Sequence, residues 1–109
     1  IDRLKDMILV SGFNVFPSEI EDVVSRFERV SECAVIGVPS AKTGEAIKLY
    51  AVRRDPDLTE DELRTYCRGY LTPYKIPRYI EFVDALPKSA IGKVLRRCLR
   101  QQHQNSDNS

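Results

Sequence analysis

Apolar positions along this chain switch repeatedly between short runs and helical spacing. Met7-Ile8-Leu9-Val10 and Phe13-Asn14-Val15-Phe16 are two apolar runs parted by Ser11-Gly12, which predicts a β-hairpin turning at the glycine. Pro17 then suits the first position of a helix, where its missing N–H is not needed. Glu19, Glu21 and Asp22 place negative charge in the early turns, and Ile20, Val23, Val24 and Phe27 follow the i, i+3, i+4, i+7 rule. A helix with one buried stripe is predicted to about Arg29. Cys33-Ala34-Val35-Ile36-Gly37-Val38 is an unbroken apolar run rich in branched residues, which predicts a buried central strand ended by Pro39. After a loop over Ser40 to Gly44, the partial alternation in Ala46 to Val52 predicts an antiparallel partner.

Thr59 with Glu62 three residues on forms a capping box. The helix it opens is expected to bury Leu63, Tyr66, Cys67, Tyr70 and Leu71 and to stop at Thr72-Pro73. The prolines of Tyr74-Lys75-Ile76-Pro77 exclude a helix there, and Arg78 to Val83 returns to strand. Past a Pro87–Gly92 loop, Val94, Leu95, Cys98 and Leu99 mark the apolar face of a short last helix. The element order predicts an α+β domain over residues 1–100: a small β-sheet plus the N-terminal hairpin, covered by about three helices. Residues 101–109 are polar and expected as a disordered tail.

Composition narrows the function classes. With 109 residues, 42% hydrophobic and 30% charged, the chain is one globular domain able to bury a modest core. A net charge of +1 gives the whole molecule no bias toward nucleic acid or acidic lipid. The charge is uneven, because Lys88, Lys93, Arg96, Arg97 and Arg100 cluster with no acid before Asp107. A solvated basic face is the plain reading of that set; a small binding module whose basic last helix meets nucleic acid is the different-class alternative. No apolar run approaches the ~20 residues of a membrane span. The start lacks both a methionine and a signal-peptide core, so we expect a piece of a longer, cytoplasmic chain. Cys33, Cys67 and Cys98 show no CxxC spacing and are expected as small buried thiols. His103 is the only histidine, so neither a metal site nor a histidine triad is expected.

The stretch Pro87-Lys88-Ser89-Ala90-Ile91-Gly92-Lys93-Val94-Leu95-Arg96-Arg97 carries a candidate site. Gly92 permits close approach of the backbone to a ligand. Lys93 is expected near a helix start, where the macrodipole disfavours a cation by ~0.3–1 kcal/mol. A lysine set against its local electrostatics points to a role outside local stability, although an exposed loop lysine reads the same way.

Two separated motifs make this more specific. Asp2-Arg3-Leu4-Lys5-Asp6-Met7-Ile8 through Ser11-Gly12-Phe13-Asn14-Val15-Phe16-Pro17-Ser18-Glu19-Ile20-Glu21 resembles the hinge-and-hairpin motif of the adenylate-forming superfamily. That superfamily comprises acyl-CoA synthetases, firefly luciferase and peptide-synthetase adenylation domains. Pro87 to Arg96 is similar to its terminal catalytic-lysine motif, and Gly37-Val38-Pro39, Gly44-Glu45-Ala46 and Tyr74-Lys75-Ile76-Pro77 match between them in order. The resemblance covers roughly residues 1–100, and its wording is nearest to bacterial long-chain fatty-acid–CoA ligases. Asp2 stands where the family often has glycine, and Ser89 where threonine is common.

The resemblance implies a C-terminal domain that rotates between two half-reactions. In the first, ATP and a fatty acid give an acyl-adenylate; in the second, coenzyme A displaces AMP. Lys93 is the implied catalytic lysine, with Gly92 beside it, and Lys5 is the implied hinge. Arg3 is implied near the nucleotide, with a hinge salt bridge as the other reading. Ser11, Gly12 and Phe13 are implied along the coenzyme A path, though Gly12 could equally serve only the turn. Mg2+ would be bound mainly by the N-terminal domain, the implied partner, which would also hold the acyl pocket. The fragment alone is therefore expected to be inactive. Another acyl- or aryl-CoA ligase, or an adenylation domain, is the alternative within the class, and peripheral contact with the inner membrane stays open.

Overall fold

The computed structural model describes residues 6–107. Its elements are β1 (Ile8–Val10), β2 (Phe13–Val15), α1 (Pro17–Ser25), β3 (Val30–Ser40), β4 (Gly44–Arg53), α2 (Glu60–Arg68), β5 (Tyr79–Phe82) and α3 (Arg96–Asp107). Three helices cover one five-stranded sheet, the predicted α+β class. Strands β1 and β2 pair antiparallel, as do β1 and β4, and β3 and β4. Strand β5 alone runs parallel to its neighbour, β4.

The strand at the centre is therefore β4, which pairs with β1, β3 and β5, while β3 lies at an edge. The expectation of Cys33–Val38 as a central strand is corrected here. Its unbroken apolar run reflects cover on both faces instead. Val35 packs with Ile20, Val24 and Leu63 of α1 and α2, whereas Ala34, Ile36 and Val38 pack with Leu86 and Leu99 of α3. The edge position also explains why β3 continues through Pro39. Pro39 has the same strand parity as Val35, whose N–H points away from β4 to Glu21, so no ladder bond needs the missing proline N–H.

Local signals act as read. Thr59 Oγ1 accepts from the Glu62 N–H at 3.1 Å and Glu62 Oε1 accepts from the Thr59 N–H at 3.0 Å, the reciprocal capping box of α2. Pro17 opens α1, and Glu19 reaches back to the Phe16 N–H at 3.0 Å. Three further expectations fail. Tyr70 is 66% exposed rather than buried, because α2 ends at Arg68 and the helical phase is lost before it. Pro73–Lys75 forms a 3-10 turn, which the prolines permit because Pro73 occupies its first position. Helix α3 starts at Arg96 and runs to Asp107, through much of the stretch read as a tail. In it His103 Nδ1 lies 3.0 Å from the buried Lys48 Nζ, which also pairs with Glu81 at 3.1 Å.

Gly37 marks a close approach in the sheet. A Cβ there would lie 2.8 Å from a Glu45 carboxylate oxygen and 3.1 Å from Ile8. Glu45 uses its other oxygen to accept the Leu9 N–H at 2.8 Å, so the missing side chain lets β1 settle on the sheet.

Candidate functional site

Two exposed turns carry the residues singled out in the sequence. In the first, Ser11 and Gly12 both have positive φ, 50° and 87°, the two-residue turn whose twist matches the flanking strands. The Ser11 N–H donates to the Thr43 carbonyl at 2.9 Å. Phe13 is 53% exposed, yet its ring stacks on Tyr74 with centroids 4.4 Å apart. Next to Tyr74, Lys75 pairs with Glu19 at 2.6 Å, and that hydrogen bond raises the lysine's pKa above its ordinary value. The Tyr74–Pro77 segment thus braces the hairpin tip.

Beside this tip lies an open groove of about 510 Å³, lined in part by Ser11, Tyr74, Arg64, Arg68 and Arg78. Arg64 donates to the carbonyls of Pro77 and Arg78 at 3.2 and 3.0 Å, and Arg78 donates to Ser40 Oγ at 2.7 Å. The sequence reading did not single out these arginines. Their available signal was the i, i+4 spacing of Arg64 and Arg68, which puts both on one helical face.

The second turn is a small hairpin around Gly92. The Ser89 N–H donates to the Lys93 carbonyl at 2.8 Å and the Gly92 N–H to the Ser89 carbonyl at 2.9 Å. Gly92 has φ 83°, so Ala90-Ile91-Gly92 is a three-residue loop closed by a left-handed glycine. Lys88 and Val94 form a bridge below it, and the Leu95 N–H reaches the Pro87 carbonyl at 2.9 Å. Those bonds hold residues 93–95 extended, so Lys93 precedes α3 by three positions and does not stand on its first turn. The Lys93 side chain is exposed and has no ion-pair partner among the described residues. It lines a shallow cleft of about 280 Å³ with Asp6, Arg96, Arg97 and Arg100.

The basic set on α3 is not a uniform solvated face. Arg96 is 19% exposed in its side chain and grips both Glu21 oxygens at 2.8 and 2.9 Å. Arg100 lies 3.5 Å from Asp6. Two of its three arginines are thus committed to carboxylates of the fold, while Arg97 is exposed.

The two turns lie over opposite faces of the sheet. The feet of the Ser11–Gly12 hairpin, Ile8, Val10 and Val15, share a core with α1 and α2, whereas Leu86 and Val94, flanking the Lys93 turn, pack with Leu99 of α3. The fold unites Ser11, Gly12 and Phe13, and separately Gly92 and Lys93, but keeps the sets apart. Arg3 and Lys5 lie outside the described residues. Among the described residues no three His, Cys, Asp or Glu side chains converge on a metal position. All three cysteines are free thiols; Cys67 is buried while Cys33 and Cys98 are only half-buried. Burial pushes Cys33 up to about 12 and Cys67 up to about 11, so both stay protonated and unreactive at neutral pH.

Comparison with known proteins adds a family to this geometry. The profile of the AMP-binding enzyme C-terminal domain matches residues 19–93. The chain is 60% identical over 102 residues to a long-chain-fatty-acid–CoA ligase of Haemophilus influenzae and 59% identical to that of Salmonella typhimurium, covering 94% of this chain and 18% of each relative. It superposes on a fatty acyl CoA synthetase of Mycobacterium tuberculosis with a TM-score of 0.92 at 41% identity, over 96% of this chain and 21% of that one. The chain thus spans about a fifth of the length of these relatives.

Proposed function

We propose a function from one premise: the chain belongs to the family of AMP-binding enzyme C-terminal domains. It is the mobile lid of a long-chain-fatty-acid–CoA ligase, which joins a fatty acid to AMP at the expense of ATP and then passes the acyl group to coenzyme A. The rest of the ligase supplies the acyl pocket and holds Mg2+ with the triphosphate. The enzyme works in the cytoplasm and meets its fatty acid at the inner membrane.

Adenylation drives an anionic carboxylate onto an anionic α-phosphate, and negative charge grows on the non-bridging oxygens as pyrophosphate departs. A fixed ammonium at that point relieves the repulsion and stabilises the developing charge. Lys93 supplies it. The observation that carries this reading is an exposed Lys93 ammonium with no ion-pair partner among the described residues, on a hydrogen-bonded turn where neighbouring Lys88, Arg96 and Arg100 are all paired. Gly92 serves the turn that aims it.

Thioester formation starts from a mixed anhydride whose carboxylate charge is already gone, so it needs a different face. After rotation about Lys5, the Ser11–Gly12 hairpin lines the path of the pantetheine arm, with Phe13 held by Tyr74 and Gly12 presenting no side chain. Arg3 contacts the nucleotide. Beside Ser11, Arg68 and Arg78 line a groove with the chemistry to take the phosphates of coenzyme A, a role that Arg96 and Arg100 cannot fill while paired.

The test is Lys93→Ala in the full-length ligase. ATP–pyrophosphate exchange should fall by ~10²–10⁴, while AMP release from synthetic acyl-adenylate and coenzyme A stays near normal. Exchange that survives the substitution would make Lys93 a surface residue.

A further inference from the structure

The Lys93 turn is held at both feet by charge. On the first, Lys88 Nζ sits 2.7 Å from Glu32 of β3. On the second, Arg96 does more. Its guanidinium pairs with both oxygens of Glu21 on α1, and its Nε donates to the Val35 carbonyl at 3.3 Å. Glu21 Oε2 accepts the N–H of the same Val35 at 2.9 Å. Side chains from α1 and α3 thus satisfy both outward backbone groups of Val35 on the β3 edge, and their ion pair wraps that edge to join the layers on its two faces. A third link runs from Arg96 to Asp6 at 3.9 Å, supported by Arg100 at 3.5 Å, with the Asp6 side chain only 11% exposed. Asp6 directly follows Lys5, the proposed pivot.

We propose that Arg96 is the positioning residue for Lys93. Its pairs with Glu21 and Asp6 make the segment after the hinge, helix α1 and the Lys93 turn one rigid body, so that rotation at the hinge is delivered to the ammonium without slack. This rests on the reading of Lys93 given above. The geometry explains why an arginine is needed. Only its planar fork carries donors on three separate nitrogens: Nη2 takes both Glu21 oxygens, Nε reaches the Val35 carbonyl and Nη1 faces Asp6; a lysine keeps the charge on one nitrogen and cannot span all three partners. Misplacing a reacting group by ~1 Å costs ~10²-fold in rate, so loss of the fork should be felt in the half-reaction that uses Lys93 and hardly at all in the other.

The experiment uses the full-length ligase with Arg96→Lys, Glu21→Gln and, in parallel, Lys93→Ala. Arg96→Lys should lower kcat of ATP–pyrophosphate exchange by ~10–100-fold with KM for ATP and fatty acid little changed. Thioester formation from supplied acyl-adenylate should stay near normal. Glu21→Gln should act in the same direction, and the double variant should be no worse than the weaker single one, because both break one contact. Backbone amides of residues 89–93 should exchange hydrogen faster in Arg96→Lys, with those of the β1–β2 hairpin unchanged. If Lys93→Ala abolishes exchange and Arg96→Lys does not, the positioning role is wrong and the Lys93 reading survives. Equal loss of both half-reactions in Arg96→Lys would reduce Arg96 to a fold-stabilising residue. Exchange that persists in Lys93→Ala would overturn both ideas.

Discussion

The two exposed turns of this domain both close on a glycine but differ in how they are supported. Each has a glycine at positive φ near its tip, and a Cβ added at either Gly12 or Gly92 would meet nothing within 4 Å. The Ser11–Gly12 turn, however, is part of the sheet: Ile8 and Val15 at its feet are fully buried, and Phe13 is stacked on Tyr74. The Lys93 turn lies outside the sheet; beyond its own backbone bonds and the packing of Leu86 and Val94 on Leu99, it is tied down by ion pairs at Lys88 and Arg96. Apolar burial and ladder bonds fix the shape of the first turn. Charge pairs hold an ammonium near other cations without neutralising it, since the acids go to its neighbours. One small sheet thereby presents two separately anchored faces, which the proposed rotation between two half-reactions would use in turn.

The largest effect expected from this contrast is on stability. Ile8→Ala should cost ~2–5 kcal/mol, since it empties a fully buried position. Lys88→Met should cost at most ~1 kcal/mol, and high salt should erase its effect, because that pair is half-exposed. Denaturant titration of the two variants checks both, and equal losses would break the comparison.

An intermediate effect should follow from the turn glycines. Gly12→Val and Gly92→Val should each cost ~1–2 kcal/mol through backbone strain alone, since neither site is crowded. Their activities should diverge: in the full-length ligase the first should depress thioester formation and the second pyrophosphate exchange. The same half-reaction failing in both would mean that the faces are not functionally distinct.

The smallest effect concerns charge remote from either turn. Arg29 bonds Asp55 at 2.7 Å and Glu62 at 3.3 Å. Asp55 is held below the usual carboxylate range first by the Asp57 N–H and then by Arg29, and Glu62 first by Arg29. A depressed carboxylate binds its proton more weakly when folded, so its contribution is present above the ordinary carboxylate pKa and is lost as pH falls through the folded value. Thermal melts should therefore be flat from neutral pH down to the carboxylate range and decline below it. Arg29→Gln should flatten that decline by a modest amount, as both acids are exposed. An unchanged acid limb would mean the pairs do not act in solution.

Much of this was open to the sequence alone wherever the cause lay within a few residues. Thr59 and Glu62 sit on one turn, so their capping box needs only local backbone. Pro17 and the Ile20–Val24 spacing announce α1, and Ser11-Gly12 between two apolar runs announces a hairpin because only a few backbone states close it. The ordered motifs ending at Lys93 were enough to point to a family.

What depended on residues distant in the chain was decided only by the tertiary structure. Cys33–Val38 declares itself buried, but whether β3 is central or an edge depends on which neighbours pair with it, and apolar periodicity is blind to pairing. Tyr70 fits the helical stripe in sequence and is exposed because the helix ends before it. Arg96 looks like one more surface cation until α1 brings Glu21 against it across 75 residues of chain. Partner choice among charges is set by packing, since Coulomb attraction has no sequence address and acts on whatever the folded core brings within reach.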